Sequence, residues 1–521
     1  HGVVILLKSM HIKKVANFPF PTSLKAASLL EAENCLKALE ALDCKDELTV
    51  LGKAMAHYPL SPRHSRMILT VIKNTSHRHK CNQSLLLAYA VAAAAALSLS
   101  NPFVMEYEGN DSSRDSEMTE KSSMGGNDKD IDKKEKTRRK KLKEASKVAR
   151  EKFRVVTSDA LAIAYALQCF EQAQKSLQFC EDNALHFKTM DEMSKLRQQL
   201  LKLVFYQSDR GGFEQEYSWT HGTLGDVENA WRVSSAHYPL SLVEERLICQ
   251  AICAGWADRV AKRITTSSRA TDGDMISRAG RYQSCMVDES IFLHRWSSVS
   301  TVRPEFLVYN ELLETKRPNK EGVTSAKRAY MHGVTRVEPA WLVEQAGSSC
   351  IFSPPLTDPR PFYDVQADQV KCWVIPTFGR FCWELPKHSL PISNDEHRVQ
   401  VFAYALLEGQ VCPCLKSVRK YMSAPPESIL RREAFGQKRV GNLFSKLKSK
   451  SIDSSATLRM AWKENPRELF SEILDWFQQG FHKHFEELWL QMLGEVLRET
   501  QEHPQCKSFK KKLKGKSKSL R

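Results

Sequence analysis

The residues able to carry chemistry fall in two short clusters. His294, Arg295 and Trp296 are consecutive, and Lys327, Arg328, Tyr330, His332 and Arg336 follow in one later stretch. Cationic side chains contact phosphates and flat rings stack on bases, so this mixture suits grip on an anionic strand. A third group, Arg63, His64 and Arg66, follows a proline-bounded turn. An exposed face, an intradomain ion pair or contact with a partner all fit it. No catalytic site assembles. The phosphate loop GxxxxGKS/T is absent, as are GxSxG, HExxH and GxGxxG. The acidic pairs Asp46-Glu47 and Asp191-Glu192 have no apolar strand before them to present a magnesium ligand. No metal site is expected. Cys412 and Cys414 lack partners at zinc spacing and read as ordinary thiols. His77, His79 and Cys81 read as a solvated helix end or turn.

Charge is unevenly spread along the 521 residues. The net charge is +16, which points to an anionic partner. Yet residues 106–132 hold nine acids and three bases, residues 133–154 twelve bases and three acids, and residues 507–521 eight bases and no acid. These stretches supply +11 of the +16, leaving the rest close to neutral. Such blocks stay solvated because repulsion is not offset by apolar burial. Residues 106–154 therefore read as a charged, disordered insertion whose basic end turns helical toward Phe153, and residues 503–521 as a basic disordered tail. The runs at 138–141 and 510–512 suit nuclear address signals or phosphate contacts, or are simply solvated. The fourteen cysteines are scattered without CxxC pairs, which fits a reducing compartment. The apolar run at 85–99 is too short to span a bilayer, so no membrane partner is expected.

The elements that must position these residues follow from periodicity. Apolar residues recur at helical spacing over 26–42, a strand or turn fits 47–52, and a helix begins near Ser65 after Pro59 and Pro62. Apolar helices follow at 71–105, 160–170, 190–205 and 242–254, with Ser158 and Asp159 able to cap the second. Short β-rich runs at 282–287, 291–294, 306–312, 330–334, 372–375 and 381–385 fit a small barrel. Helix returns after 395, with one apolar stripe from Leu469 to Met492 that reads as core. The fold class is α+β multidomain: a winged helix at 1–70, a helical bundle at 71–265, an OB-fold barrel at 266–388 and a mostly helical domain at 389–502. His1 followed directly by an apolar run reads as a chain opened within an element, hence a fragment.

The ordered motifs carry a resemblance. Residues 32–69, through Leu36, Leu39, Leu42, Leu48, Thr49, Gly52, Pro59 and Pro62, resemble the winged-helix region of DEAH/RHA-type helicases. Residues 88–104 (AYAVAAAAALSLSNPFV), Ser158-Asp159-Ala160-Leu161, residues 196–200 (LRQQL) and residues 252–261 (ICAGWADRVA) are similar to motifs of that family's ratchet-like bundle. Residues 292–298 (FLHRWSS) and 330–342 (YMHGVTRVEPAWL) resemble its OB-fold. The set covers about residues 1–345 in family order. Three features depart from the common pattern. Arg295 stands where the family usually has proline, which leaves the usual turn in doubt. The insertion is long, and a helical domain is added at 390–500. The combination is most similar to the DEAH-box helicases of the small-subunit processome.

The resemblance implies an ATP-dependent RNA helicase as the parent protein, with ATP and magnesium held by RecA-like domains outside this chain. This part would grip RNA and regulate, without cofactor or catalysis of its own. Implied partners are single-stranded RNA (pre-ribosomal RNA and box C/D snoRNA) and processome proteins including a helicase activator, in the nucleus and nucleolus. The implied RNA contacts are Arg295, Lys327, Arg328 and Arg336 for phosphates, with Tyr330 and Trp296 for stacking. Trp296 also fits a core role, and Trp341 is read as packing. Arg63 and Arg66 are candidates for a hinge or RecA contact. Two other readings stay open: a protein-docking platform on the added domain, suggested by Trp462, Trp476 and Trp489, and a motor-less winged-helix/OB nucleic-acid binder.

Overall fold

The computed structural model describes residues 1–12, 14–22, 25–75, 81–104, 137, 141, 144–210, 214–233, 237–264, 280–316 and 327–497. The remaining segments, including most of the acidic insertion and the basic tail, lie outside the described residues. No described helix is long and apolar enough to cross a membrane. The chain divides into two compact units, residues 1–351 with 378–383, and residues 352–377 with those from 384.

In the first unit, helices Ala26–Ala38 and Val50–His57 build the winged-helix part. The strand or turn expected at 47–52 is a turn closed by a single bridge between Leu42 and Leu48, followed by helix from Val50. Thr49 instead caps the helix that starts at Val50, its hydroxyl accepting from the Gly52 amide at 2.9 Å. Pro62 does not end a segment; it occupies the first turn of helix Pro62–Thr75, where its missing N–H costs nothing. That helix runs through residue 70.

Helix Gln83–Ser98 is the centre of the bundle, with every residue from Leu86 to Ala95 fully buried. The six alanines among them let neighbouring backbones approach, and helices Pro62–Thr75, Asp159–Gln172, Phe187–Arg210 and Leu224–Arg232 surround it. Arg197 stands buried between Glu171 (2.9 Å) and Glu228 (3.1 Å), and Trp231 Nε1 donates to the same Glu171. A charge taken out of water is held only by such paired neighbours.

The sheet has seven strands: β1 Val260–Arg263, β2 Arg281–Ser284, β3 Ser290–Leu293, β4 Phe306–Val308, β5 Glu311–Lys316, β6 Lys327–His332 and β7 Thr335–Val337. Their order is β5-β6-β3-β2-β1-β4-β7, antiparallel except for the parallel β3–β6 pair. Among the described residues no ladder joins edge strands β5 and β7, so the expected barrel is an unclosed sheet. The strand expected at 306–312 breaks at Asn310, whose side chain accepts from Trp256 Nε1 (3.0 Å) and donates to the Leu97 carbonyl (3.0 Å). The sheet begins before 266, because Val260 and Ala261 leave the bundle directly as β1.

The second unit overturns two expectations. Residues 352–377, placed with the barrel from sequence, pack with the C-terminal helices. Strands Phe362–Asp364, Gln369–Val374 and His388–Pro391 form a sheet whose Tyr363, Val370, Cys372 and Val374 join the core of helix Asp395–Leu407. Asp368 fastens this segment by accepting from the Ser455 (2.6 Å) and Ala456 (2.9 Å) amides, the first two of helix Ser455–Glu464. Trp462, Trp476 and Trp489 are core, at most 2% exposed, so they offer no docking surface. Burying each contributes roughly 2–3 kcal/mol. The stripe from Leu469 to Met492 is core as expected, although it runs through three short segments.

Candidate nucleic-acid interface

Strands β3 and β6 lie side by side with Phe292 opposite Tyr330 and Leu293 opposite Met331. Leu293 and Met331 turn into the core. Alternation therefore places Phe292, His294, Arg328, Tyr330 and His332 together on the outer face. The Arg328 guanidinium lies 5.2 Å from the Phe292 ring, Phe292 lies 5.9 Å from Tyr330, and Tyr330 meets His294 edge-on at 5.6 Å. His294 and His332 follow at 5.3 Å. Burial pushes the His294 imidazole down to about 4 and lowers His332, so both are neutral rings at pH 7.

This strip runs into a cleft of about 220 Å³ lined by Arg150, Arg154, His294, Arg295, Trp296 and His332, among others. Arg295 is exposed, and Trp296 is half-buried with guanidinium carbons of Arg150 and Arg295 at 4.6 and 5.0 Å from its ring. Arg150 donates to the Val104 carbonyl at 3.1 Å. Burial lowers its guanidinium to about 10, with Asp159 opposing the shift. A cation in such a cleft can form a charge-assisted hydrogen bond to a phosphate.

Arg150 and Arg154 come from the basic end of the insertion, where the sequence predicts helix toward Phe153. Residues 144–152 are helical, and the helix docks through Ser146, Ala149 and Phe153, all buried. Ser146 Oγ donates to the Val104 carbonyl at 2.9 Å. The charge count hid this apolar spacing of three and four.

Asp159 fixes the cleft to the bundle. Its carboxylate accepts from Ser297 Oγ (2.9 Å), the Ser298 amide (2.7 Å) and the Val334 amide (2.9 Å). Desolvation pushes the carboxyl up, while these donors pull it down. The Ser158 hydroxyl meets Thr335 Oγ1 at 2.8 Å and also caps its helix. Gly333 makes the turn between β6 and β7 at φ +62°, where an added Cβ would stand 2.8 Å from Asn310 Cβ.

Of the residues singled out from sequence, the structure gathers Arg295, Trp296, Arg328 and Tyr330. Lys327 belongs to β6 by its backbone pairing, and its side chain lies outside the described residues. Arg336 is exposed on β7, the opposite edge of the sheet from β5. Arg63 and Arg66 are spent inside the unit. Arg63 grips Asp258 with both prongs (Nη2–Oδ2 2.7 Å), and Arg66 pairs with Glu40 at 2.8 Å. Trp341 is buried, as read. Phe292 and Arg150 were missed; strand alternation could have found the first and helical spacing the second. Among the described residues no cluster of side chains could hold a metal ion.

Known proteins share these parts. Protein-family models match for the winged-helix helicase-associated domain over residues 32–60, the ratchet-like helicase-associated domain over 61–163, the oligonucleotide/oligosaccharide-binding fold over 248–349 and the DEAH helicase DHX37 C-terminal domain over 414–493. The ATP-dependent RNA helicase DEAH13 of Arabidopsis thaliana is 49% identical across 95% of this chain. The probable ATP-dependent RNA helicase DHX37 of Homo sapiens is 28% identical across 94%. The probable ATP-dependent RNA helicase DHR1 of Saccharomyces cerevisiae is 31% identical across 50%, which is 20% of its own length. The chain spans 38% of the length of the Arabidopsis and human relatives.

Proposed function

Because the chain belongs to the DEAH-type RNA helicases by its helicase-associated C-terminal domains, we propose that it is the RNA-gripping part of an ATP-dependent RNA helicase. The observation that carries this is the strip from Arg328 through Phe292, Tyr330 and His294 into the Arg150–Trp296–Arg295 cleft. Cations there meet phosphates while the rings stack on bases, so a single strand is held with little sequence preference. In the whole protein, ATP and magnesium on RecA-like domains would drive the strand past this surface. The finer reading is remodelling of pre-ribosomal RNA and box C/D snoRNA duplexes, with processome proteins and an activator, in the nucleolus. Its support is the match at 414–493 and the similarity to DHX37 and DHR1.

Single-stranded RNA binding across a salt titration tests the grip. Arg295→Glu and Arg328→Glu each weaken binding and lower the salt slope by about 0.7 for every phosphate left without its cation. Lys327→Glu with Arg336→Glu tests whether the strand reaches those positions. Unchanged affinity and slope in the Arg295 and Arg328 variants would remove the assignment.

A further inference from the structure

The second unit carries an aromatic and cationic surface that the RNA-gripping strip does not use. Two short segments meet there. Met422 bridges Phe477, the Gln478 amide donates to the Tyr421 carbonyl (3.0 Å), and the Ser423 amide donates to the Trp476 carbonyl (2.8 Å). Met422 is buried by this pairing, so its neighbours Tyr421 and Ser423 share the outward side and are both exposed. Tyr421 is 40% exposed, and its ring stacks on Phe481 at 4.9 Å and 16°. Phe481 in turn stacks on Phe477 at 5.0 Å and 24°. A near-parallel column of three rings therefore rises from the core and ends at a tyrosine facing solvent.

One cation lies over the end of the column, and others follow in the two segments that build it. Residues 414–424 hold Lys416, Arg419 and Lys420 without an acid, and residues 478–485 hold Lys483 between two histidines, again without an acid. Lys420 and Lys483 are exposed, with Lys420 Nζ 5.1 Å from the Tyr421 ring. Arg419 is held by Glu408 at 2.5 Å. Arg439 donates to Ser423 Oγ at 2.9 Å and to Gln437 Oε1 at 3.0 Å.

We infer that Lys420, Tyr421, Ser423, Arg439 and Lys483 form a second single-stranded RNA contact, Tyr421 stacking on a base and the cations taking the flanking phosphates. The column favours RNA over an acidic peptide. A base extends a stack of coplanar rings, whereas a carboxylate-rich chain gains nothing from a flat aromatic end. Tyrosine at the column's end also supplies a hydroxyl that tolerates water when the site is empty.

The test uses the whole 521-residue chain with a 4-thiouridine-substituted oligouridylate, photo-crosslinked and mapped by peptide. Crosslinks are expected in residues 415–423 or 478–485 as well as in 290–298. Tyr421→Ala combined with Lys420→Glu and Lys483→Glu should lower yield at the first two peptides about fivefold or more while the third is retained. These three side chains are not buried, so an unchanged melting temperature checks that the fold survives. Crosslinks confined to 290–298 overturn the inference and leave the proposed grip standing. Loss at 290–298 alone overturns the grip and leaves this site standing. Displacement of RNA from 415–423 by oligoglutamate at lower concentration than by oligouridylate also overturns it, in favour of an acidic protein partner.

Discussion

The same residue type takes opposite roles in this chain according to what surrounds it. Arg63 and Arg66 read from sequence like Arg295 and Arg328, yet Asp258 and Glu40 claim the first two. His64 shows the same selection. Its Nδ1 meets Ser61 Oγ at 2.9 Å and its Nε2 meets Ser98 Oγ at 3.0 Å, with Trp256 edge-on at 5.3 Å. Burial, aided by the Arg63 charge, pushes its imidazole down to about 4. The unfolded chain then binds a proton that the folded one refuses, between pH 6.5 and about 4. Stability therefore falls as pH drops through that window, by at most about 3 kcal/mol from this group. Urea denaturation at stepped pH should show His64→Asn with a shallower acid loss than the parent. An identical slope would mean that His64 titrates normally.

At the scale of elements, what counts is how a helix start is fastened to a sheet. Ser158 and Asp159 were legible as a helix cap, and Ser158 is one. Nothing in the sequence shows that the Asp159 carboxylate turns instead to Ser297, Ser298 and Val334. Those partners lie 138 to 175 residues away, beyond the reach of any local pattern. Asp159→Asn puts an amide donor against donors, so a loss of about 2 kcal/mol is expected in denaturation. The turn carrying Arg295 and Trp296 should loosen with it, weakening RNA binding more than Ser158→Ala does. Equal RNA affinity in the two variants would limit Asp159 to stability. The helix at 144–152 teaches the converse lesson. Its charge suggested solvent, but Ser146, Ala149 and Phe153, spaced by three and four, sufficed to dock it.

For the whole molecule, most of the +16 lies in the charged insertion and the tail, and the insertion's basic end lends Arg150 and Arg154 to the cleft. Removing residues 507–521 should lower RNA affinity about tenfold at low salt, with the loss vanishing as salt rises. Crosslinks within 290–298 should persist, since that contact is built by the sheet. A salt-independent loss would instead assign the tail a specific contact.

Residue order alone determined most element types, the run of domains and four members of the candidate surface, Arg295, Trp296, Arg328 and Tyr330. Periodicity and caps are local, acting within one or two turns or across adjacent strand positions. Only the tertiary structure decided which cations are claimed by carboxylates, that Arg150 enters the cleft, that residues 352–377 join the C-terminal core and that three tryptophans are buried. Each of those depends on pairing and burial between residues far apart in the chain, where desolvation and the nearest opposite charge set the outcome.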